Sequence, residues 1–298
     1  MIKILKIEEK NTLRLDKYLK TKFSVLTQSF IEKNIRKKNI LVNNLKTSAK
    51  YILKENDLIK ILNFHTDKYK NKIIFKKNIL IPRKTLALFK KSIIFQDQNF
   101  MIINKWSSIA SQGGSKINIS IDDIIKSISS NYRLVHRLDK GTSGLLIVAK
   151  DLNSAKIFGK LFKSSLIEKT YIALCEGKPK QNKSNVLLDI KNKEDKIEHT
   201  KTHYKILDVQ NNISLIQYKP LTGKTHQLRI VSKNLGCSII GDNKYNGYSK
   251  FKNEELKLNA YNLKFIFNDK KFEFFSELSK DFYYFLKKYK FKDLRRYI

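Results

Sequence analysis

Long apolar runs, cysteine, proline, glycine and acidic residues are all scarce in this 298-residue chain, and each scarcity removes a class of protein. No window approaches the roughly 18 consecutive apolar residues that a membrane-spanning helix needs. Met1 to Lys10 alternate apolar and charged side chains, unlike a secretion signal. The two cysteines, Cys175 and Cys237, sit in apolar surroundings and form no metal or redox spacing. A reduced, cytoplasmic protein is expected. With 3 prolines and 10 glycines the chain is neither collagenous nor of low complexity, and no internal repeat stands out. The shortage of acids matters most: 27 Asp and Glu face 61 Lys and Arg, a net charge of +34. Heavy use of Lys, Ile and Asn resembles the coding bias of AT-rich genomes, which accounts for Lys over Arg but not for so few acids. Such an excess calls for a polyanionic partner, nucleic acid first. An anionic membrane surface would need a strongly amphipathic cationic helix, and none supports it.

What is present is ample apolar material, 41% of residues, in an order that suggests two modules. In residues 1–62, Leu13, Leu15, Tyr18 and Leu19 recur at helical spacing. Thr27 is placed to cap a second helix with Phe30, Ile31 and Ile35 on one side and Lys33, Arg36, Lys37 and Lys38 elsewhere. Ile40–Val42 and Leu58–Leu62 read as short strands, with Asn39 and Asn43-Asn44 at turns, where Asn tolerates left-handed backbone. This order, with Arg14-Leu15-Asp16-Lys17-Tyr18-Leu19, Thr27-Gln28-Ser29, Lys37 to Asn43 and Asn56-Asp57-Leu58-Ile59, resembles the small RNA-binding domain named after ribosomal protein S-four. That family usually has Gly where this chain has Asn39, Asn44 and Asn56. The resemblance implies RNA contacts from Arg14, Lys33, Arg36, Lys37 and Lys38; the plainer reading is a solvated basic face. Residues 63–91, rich in Lys and Asn, read as a basic linker.

From about Ser92 to the end, short strands mix with helices. Strands are expected at 92–95, 100–103, 145–149, 170–174, 202–207, 213–217 and 263–267. Helices are expected at 121–129, 153–163, 226–234 (stopped by Gly236) and 279–289. Their connections are too irregular for a βαβ repeat, so the expected class is α+β with a mainly antiparallel mixed sheet.

Two stretches carry chemistry. His136-Arg137-Leu138-Asp139-Lys140-Gly141-Thr142-Ser143-Gly144 is a charged, glycine-bearing loop feeding the apolar strand Leu145 to Val148. By itself it reads as a structural turn with an Arg–Asp pair. Leu221-Thr222-Gly223-Lys224-Thr225-His226-Gln227-Leu228-Arg229-Ile230 is again basic and opens a helix that Thr225 could cap, with Lys224, His226 and Arg229 near its start. Together they resemble the RluA-type family of RNA pseudouridine synthases, in which the pattern H-R-L-D-x-x-T-S-G is a specific signature. Asn104-Lys105 to Gly113-Gly114, Lys169-Thr170-Tyr171-Ile172-Ala173-Leu174 and Gly241-Asp242-Asn243-Lys244-Tyr245 match further family segments in order. Departures are Trp106 for the usual Pro, Lys224 for Arg and Val231 for His.

The resemblance implies a pseudouridine-synthase fold over 92–298 and isomerisation of uridine by cleaving C1′–N1 and re-forming the bond at C5. It further implies Asp139 as the essential carboxylate, attacking C1′ or deprotonating the sugar, with Arg229 paired to it and Tyr171 stacking on the base. Arg137 would fill the gap left by a flipped uridine, His136 would pack or contact RNA phosphate rather than titrate in catalysis, and Lys105, Lys224 and His226 would contact RNA. It implies no cofactor, no metal, no membrane and a monomer acting on RNA. The RluC-like order points to large-subunit 23S ribosomal RNA, with transfer RNA second. Other readings fall on spacing. His199 and His203 would lie about 13 Å apart on a strand, too far for one metal. Gly141 to Gly144 lacks the G-K-[ST] of a nucleotide loop, and nothing resembles a DNA-recognition helix. A non-catalytic assembly factor is countered by the presence of Asp139, Tyr171 and Arg229.

Overall fold

The structure, a computed structural model, describes residues 1–8, 13–69, 80–114, 117–192, 195–246 and 249–297. It divides into two compact units, residues 1–78 and 79–298. In the first unit β1 (Lys3–Lys6), α1 (Leu15–Lys22), α2 (Gln28–Arg36), β2 (Ile40–Val42) and β3 (Leu58–Ile61) follow in order. The strands form an antiparallel sheet in the order β1-β3-β2. Leu15, Leu19, Ile31, Ile35, Ile40, Ile59 and Ile61 make its core, whereas Leu13 precedes the helix and is exposed. The Thr27 side chain accepts the Phe30 N–H at 3.1 Å, the cap read from sequence. The left-handed turn positions are Lys38, Asn43, Asn44 and Asn56, at φ 60°, 51°, 61° and 66°. The glycine-like position after α2 is therefore Lys38 and not Asn39, whose amide instead bonds Asn34.

The described parts of the expected linker, 63–69 and 80–91, pack into the two units. Phe64 and Tyr69 are buried with Phe23 in the first unit's core, their rings 4.8 Å apart. At its other end Arg83–Lys91 forms α3, started at Pro82, whose Phe89 is fully buried in the second unit. The Lys-rich composition hid two apolar anchors at either end. Residues 70–79, the middle of the stretch, lie outside the described residues.

The second unit continues with β4 (Ile93–Gln96), β5 (Phe100–Lys105), α4 (Ile121–Ile128), β6 (Arg133–Leu134), β7 (Ser143–Ala149) and α5 (Leu152–Lys163). Then come β8 (Glu168–Glu176), β9 (Lys183–Lys191), β10 (Ile197–Gln210), β11 (Ile213–Pro220), α6 (Gln227–Asn234), β12 (Leu258–Phe267), β13 (Lys270–Phe275) and α7 (Lys280–Lys288). The sheet runs β4-β5-β7-β12-β8-β11-β10-β9, with β13 on β12 and β6 on β7. Its pairs are antiparallel except β7 with β12, so the sheet is mixed and mainly antiparallel. β7 approaches closely at Gly144 (φ +108°), where a Cβ would stand 2.4 Å from the Ala260 carbonyl oxygen; no side chain fits that crossing.

Both faces of the sheet are covered, which accounts for the unbroken apolar run of β7. Leu146 and Val148 pack with α4 residues Ile121, Ile124 and Ile125, while Leu145 and Ile147 pack with Phe158 of α5. The alternation along β8 sends Ile172 and Leu174 to α7, and Tyr171, Ala173 and Cys175 to the face of α6. That register, fixed by apolar burial, sets Tyr171 beside the helix that carries Arg229.

Candidate active site

A cleft forms where the loop before β7, strand β8 and the start of α6 converge, lined among others by Arg137, Asp139, Lys169, Tyr171, Lys224, His226 and Arg229. The loop bearing Asp139 is fastened from behind by the segment after β5. The Ser111 hydroxyl donates to the Leu138 carbonyl at 2.7 Å and accepts the Leu138 N–H at 2.9 Å. Thr142 N–H closes the turn onto the Asp139 carbonyl at 3.1 Å. Lys105 completes the fastening: its ammonium lies 3.1, 2.9 and 3.3 Å from the carbonyls of Trp106, Ile109 and Lys140. With three donors on three acceptors and no exposure, Lys105 is an internal strut and not the RNA contact expected of it. Burial pulls its pKa down to about 7, against the opposing pull of Asp139.

Of the two roles expected of His136, the structure shows packing. Its Nε2 accepts the Ile147 N–H at 2.9 Å, and its ring lies 4.7 Å from that of Phe162. Burial, with the nearby Lys169 charge, lowers its pKa to about 3, so it stands as a neutral acceptor inside the fold and not on RNA.

The start of α6 is not the expected Thr225 cap. His226 occupies the cap position in left-handed backbone, φ 57°, without a side-chain cap bond. Gln227 takes over the neighbouring polar groups. Its carboxamide oxygen accepts from Thr222 Oγ1 at 2.9 Å and Lys224 N at 3.0 Å, and its nitrogen donates to Thr202 Oγ1 at 2.9 Å. Lys224 pairs with Glu198 at 3.2 Å. The helix ends as read, with Gly236 at φ +73°.

Arg229 has two aspartate neighbours at very different range. Asp242 accepts from its Nε at 2.8 Å and Nη2 at 2.6 Å, a fork on a carboxylate with no exposed side-chain surface. The remaining Nη1 lies 3.9 Å from Asp139 Oδ2, and His226 Nε2 lies 3.9 Å from Oδ1. The expected Arg229–Asp139 pair is thus a contact at ion-pair range, and the strong partner is Asp242. Burial opposes the guanidinium's charge, but the Asp242 bonds and both carboxylates outweigh it and raise its pKa. Tyr171 is pushed above its ordinary pKa by burial and then by the Asp139 charge, so its hydroxyl remains a proton donor.

Arg137 is exposed at the cleft. In the first unit Lys33, Arg36, Lys37 and Lys38 are exposed, while Arg14 forks onto Asp16 at 3.1 and 2.6 Å. His199 and His203 pair with different β9 residues, Asp189 and Asn185. Sequence reasoning missed Lys169, although a period of two puts it on the Tyr171 face of β8. It also assigned no role to Asp242 and Tyr245.

A family model described as RNA pseudouridylate synthase matches residues 99–234. Ribosomal large subunit pseudouridine synthase C of Rickettsia bellii is 39% identical over 262 residues, covering 80% of this chain and 86% of the relative. The chain belongs to the RNA pseudouridylate synthase family. A protein of the same name from Vibrio parahaemolyticus is 30% identical over 272 residues, covering 85% of this chain and 84% of the relative. The solved structure of Human RNA Pseudouridylate Synthase Domain Containing 4 shares the fold, with a TM-score of 0.63 and 23% identity over 74% of this chain and 99% of that one. As an RNA pseudouridine synthase the chain is an isomerase of uridine in RNA, the activity that its signature motif implies.

Proposed function

We propose that this enzyme isomerises uridines of 23S ribosomal RNA, with Asp139 as the essential carboxylate. The observation that carries the assignment is the placement of Asp139 in one cleft with Tyr171, Arg229 and His226. The names and coverage of the large-subunit relatives support the substrate.

A stacked uridine is out of reach, so the target must leave its helix at a cost of a few kcal/mol. Arg137, exposed beside the cleft, fills the vacated stack, since a planar guanidinium both stacks and hydrogen-bonds. With the uridine seated, the Asp139 carboxylate addresses the sugar, at C1′ as nucleophile or at a neighbouring proton as base, while the C1′–N1 bond breaks. Either role needs an oriented carboxylate, and Arg229 Nη1 stands 3.9 Å from its Oδ2. The detached base keeps the bonding pair at N1 and turns within the cleft. C5 joins C1′ as the bond to Asp139 breaks or, on the base route, as Asp139 returns the sugar proton, and the proton lost from C5 passes to solvent while N1 takes one up. Tyr171 stacks on the base, and its hydroxyl assists the proton transfer at C5 as a relay, accepting the C5 proton while passing its own to solvent. Lys224 holds adjacent phosphate, and the exposed cations of the first unit hold flanking RNA without reading its sequence. We take the monomer as the acting unit, and the buried free cysteines suit a reducing cytoplasm.

The test is tritium release from RNA labelled at C5 of uridine, with large-subunit ribosomal RNA and bulk transfer RNA as substrates, for wild type and Asp139→Asn. Release from ribosomal RNA that the substitution abolishes is the expected result. Release from transfer RNA alone would overturn the substrate. No release from either, with RNA binding intact, would leave an assembly factor in place of an enzyme.

A further inference from the structure

His226 is strained, central and unused by the reaction described above. A non-glycine residue at φ 57° persists only where its surroundings hold it, and here the Gln227 carboxamide ties down the preceding turn. The imidazole stands between two oxygens. Nδ1 is 3.0 Å from the Tyr245 hydroxyl and Nε2 is 3.9 Å from Asp139 Oδ1. Tyr245 is itself fixed: its N–H donates to Asp242 Oδ1 at 3.1 Å, and its ring lies 5.1 Å from the Arg229 guanidinium.

A neutral imidazole carries its proton on one nitrogen, and the neighbours decide which. Two independent effects select the same form here. The Tyr245 hydroxyl faces Nδ1 at 3.0 Å, and an O–H that donates there leaves the ring proton to Nε2. A carboxylate facing Nε2 repels a lone pair and attracts an N–H. The groups facing His226 are Asp139 from the loop before β7, Arg229 from α6, and Asp242, Lys244 and Tyr245 after α6. Burial keeps the ring neutral, with Asp139 opposing and Arg229 and Lys244 adding to the effect.

We propose that Tyr245 and His226 are positioning residues: the Tyr245 hydroxyl fixes the His226 tautomer, and the Nε2–H so created holds Asp139 Oδ1 while Arg229 Nη1 holds Oδ2. Each oxygen of the essential carboxylate then has its own donor. The separation of 3.9 Å is beyond hydrogen-bond range, and a shift of about 1 Å closes it when uridine displaces solvent from the cleft. The role rests on Asp139 acting as proposed above, whereas the tautomer does not.

Two measurements test it. In protein labelled with ¹⁵N-histidine, the resonance lost in His226→Gln identifies His226. Wild type is expected to show a protonated Nε2 and a bare Nδ1, and Tyr245→Phe a mixture of tautomers. A protonated Nδ1 in wild type would overturn the pairing. In tritium release, Tyr245→Phe keeps the ring over Arg229 and is expected to lower kcat about tenfold, with KM within about twofold. His226→Gln supplies an amide N–H with no tautomer to choose, so Tyr245→Phe should cost nothing further in that background. An unchanged kcat in Tyr245→Phe, or an equal loss in both backgrounds, would overturn the positioning role. Absence of release from wild type would sink that role along with the parent reading, and the resonances would still decide the pairing.

Discussion

The two units of this chain use positive charge in opposite ways. In the first, Lys33, Arg36, Lys37 and Lys38 stand exposed on and after one helix. In the second, two cations beside Asp139 are turned inward: Lys105 is spent on three carbonyls and Arg229 on a buried carboxylate. A net charge of +34 therefore conceals two functions. Outward charge meets a polyanion through solvent and salt, where each contact is weak and sequence-blind. Inward charge fixes geometry, where each contact is strong and costly to break. Substitutions in the inner set should damage kcat and folding; those in the outer set should damage affinity and its salt dependence.

The sharpest test within the inner set uses its two aspartates. Asp139 is one-fifth exposed and its nearest cations lie at 3.9 Å, so Asp139→Asn should abolish turnover, by about 10³-fold or more, and change stability by less than ~0.5 kcal/mol. Asp242 accepts two bonds from Arg229 and the N–H groups of Lys244 and Tyr245. Asp242→Asn sets an amide donor against those donors and leaves a buried guanidinium uncompensated. It should lose about 3–5 kcal/mol in denaturant unfolding, and misplacement of Arg229 should lower kcat about 10²-fold. Equal stability of the two variants would erase the distinction drawn between these carboxylates.

His136 sharpens the comparison through pH. Its folded pKa, about 3, lies below the ordinary 6.5, so the unfolded chain binds more protons between those values. Stability contributed by the neutral ring is therefore complete above about pH 6.5 and is lost as pH falls towards 3. His136→Phe keeps a ring beside Phe162 and strands the Ile147 N–H, at about 1–3 kcal/mol near neutrality. It should also flatten the decline between pH 6.5 and 3 in the difference from wild type. A difference that does not vary with pH would mean that His136 is already charged in the folded protein.

Much of this arrangement was legible in the sequence, and the failures have physical causes. Strands buried on both faces, such as β5 and β7, announce themselves as apolar runs. β9 did not: at the sheet edge its residues alternate between exposed and half-buried, with Ile190 alone buried, leaving too weak an apolar pattern to read. α3 was hidden because Leu86 and Phe89 are surrounded by Lys. The signature loop located Asp139 because a whole pattern of residues is required there. Spacing could not say which cations face outward. Lys105 and His136 look like RNA contacts in a basic chain, and only the packing of β5 and α5 against the loop turns them inward. Nor could spacing reveal that Arg229 prefers Asp242, since the fork depends on a turn thirteen residues away.

The outer set gives the smallest effect and the cleanest separation. Replacing Lys33, Arg36, Lys37 and Lys38 by Gln removes charge without touching the core formed by Ile31 and Ile35. Folding of the unit should change little, because these side chains are exposed. If they contact phosphates, each lost contact lowers the slope of log affinity against log salt by about 0.7 to 0.9. Weaker binding at low salt should then converge with wild type as salt rises, and KM should increase while kcat at saturating RNA stays put. The pattern is the reverse of that expected for Asp242→Asn, in which kcat falls. If the fourfold variant instead lost kcat at saturation with an unchanged salt slope, outward charge in the first unit would be serving the chemistry, and the division between the two units would fail.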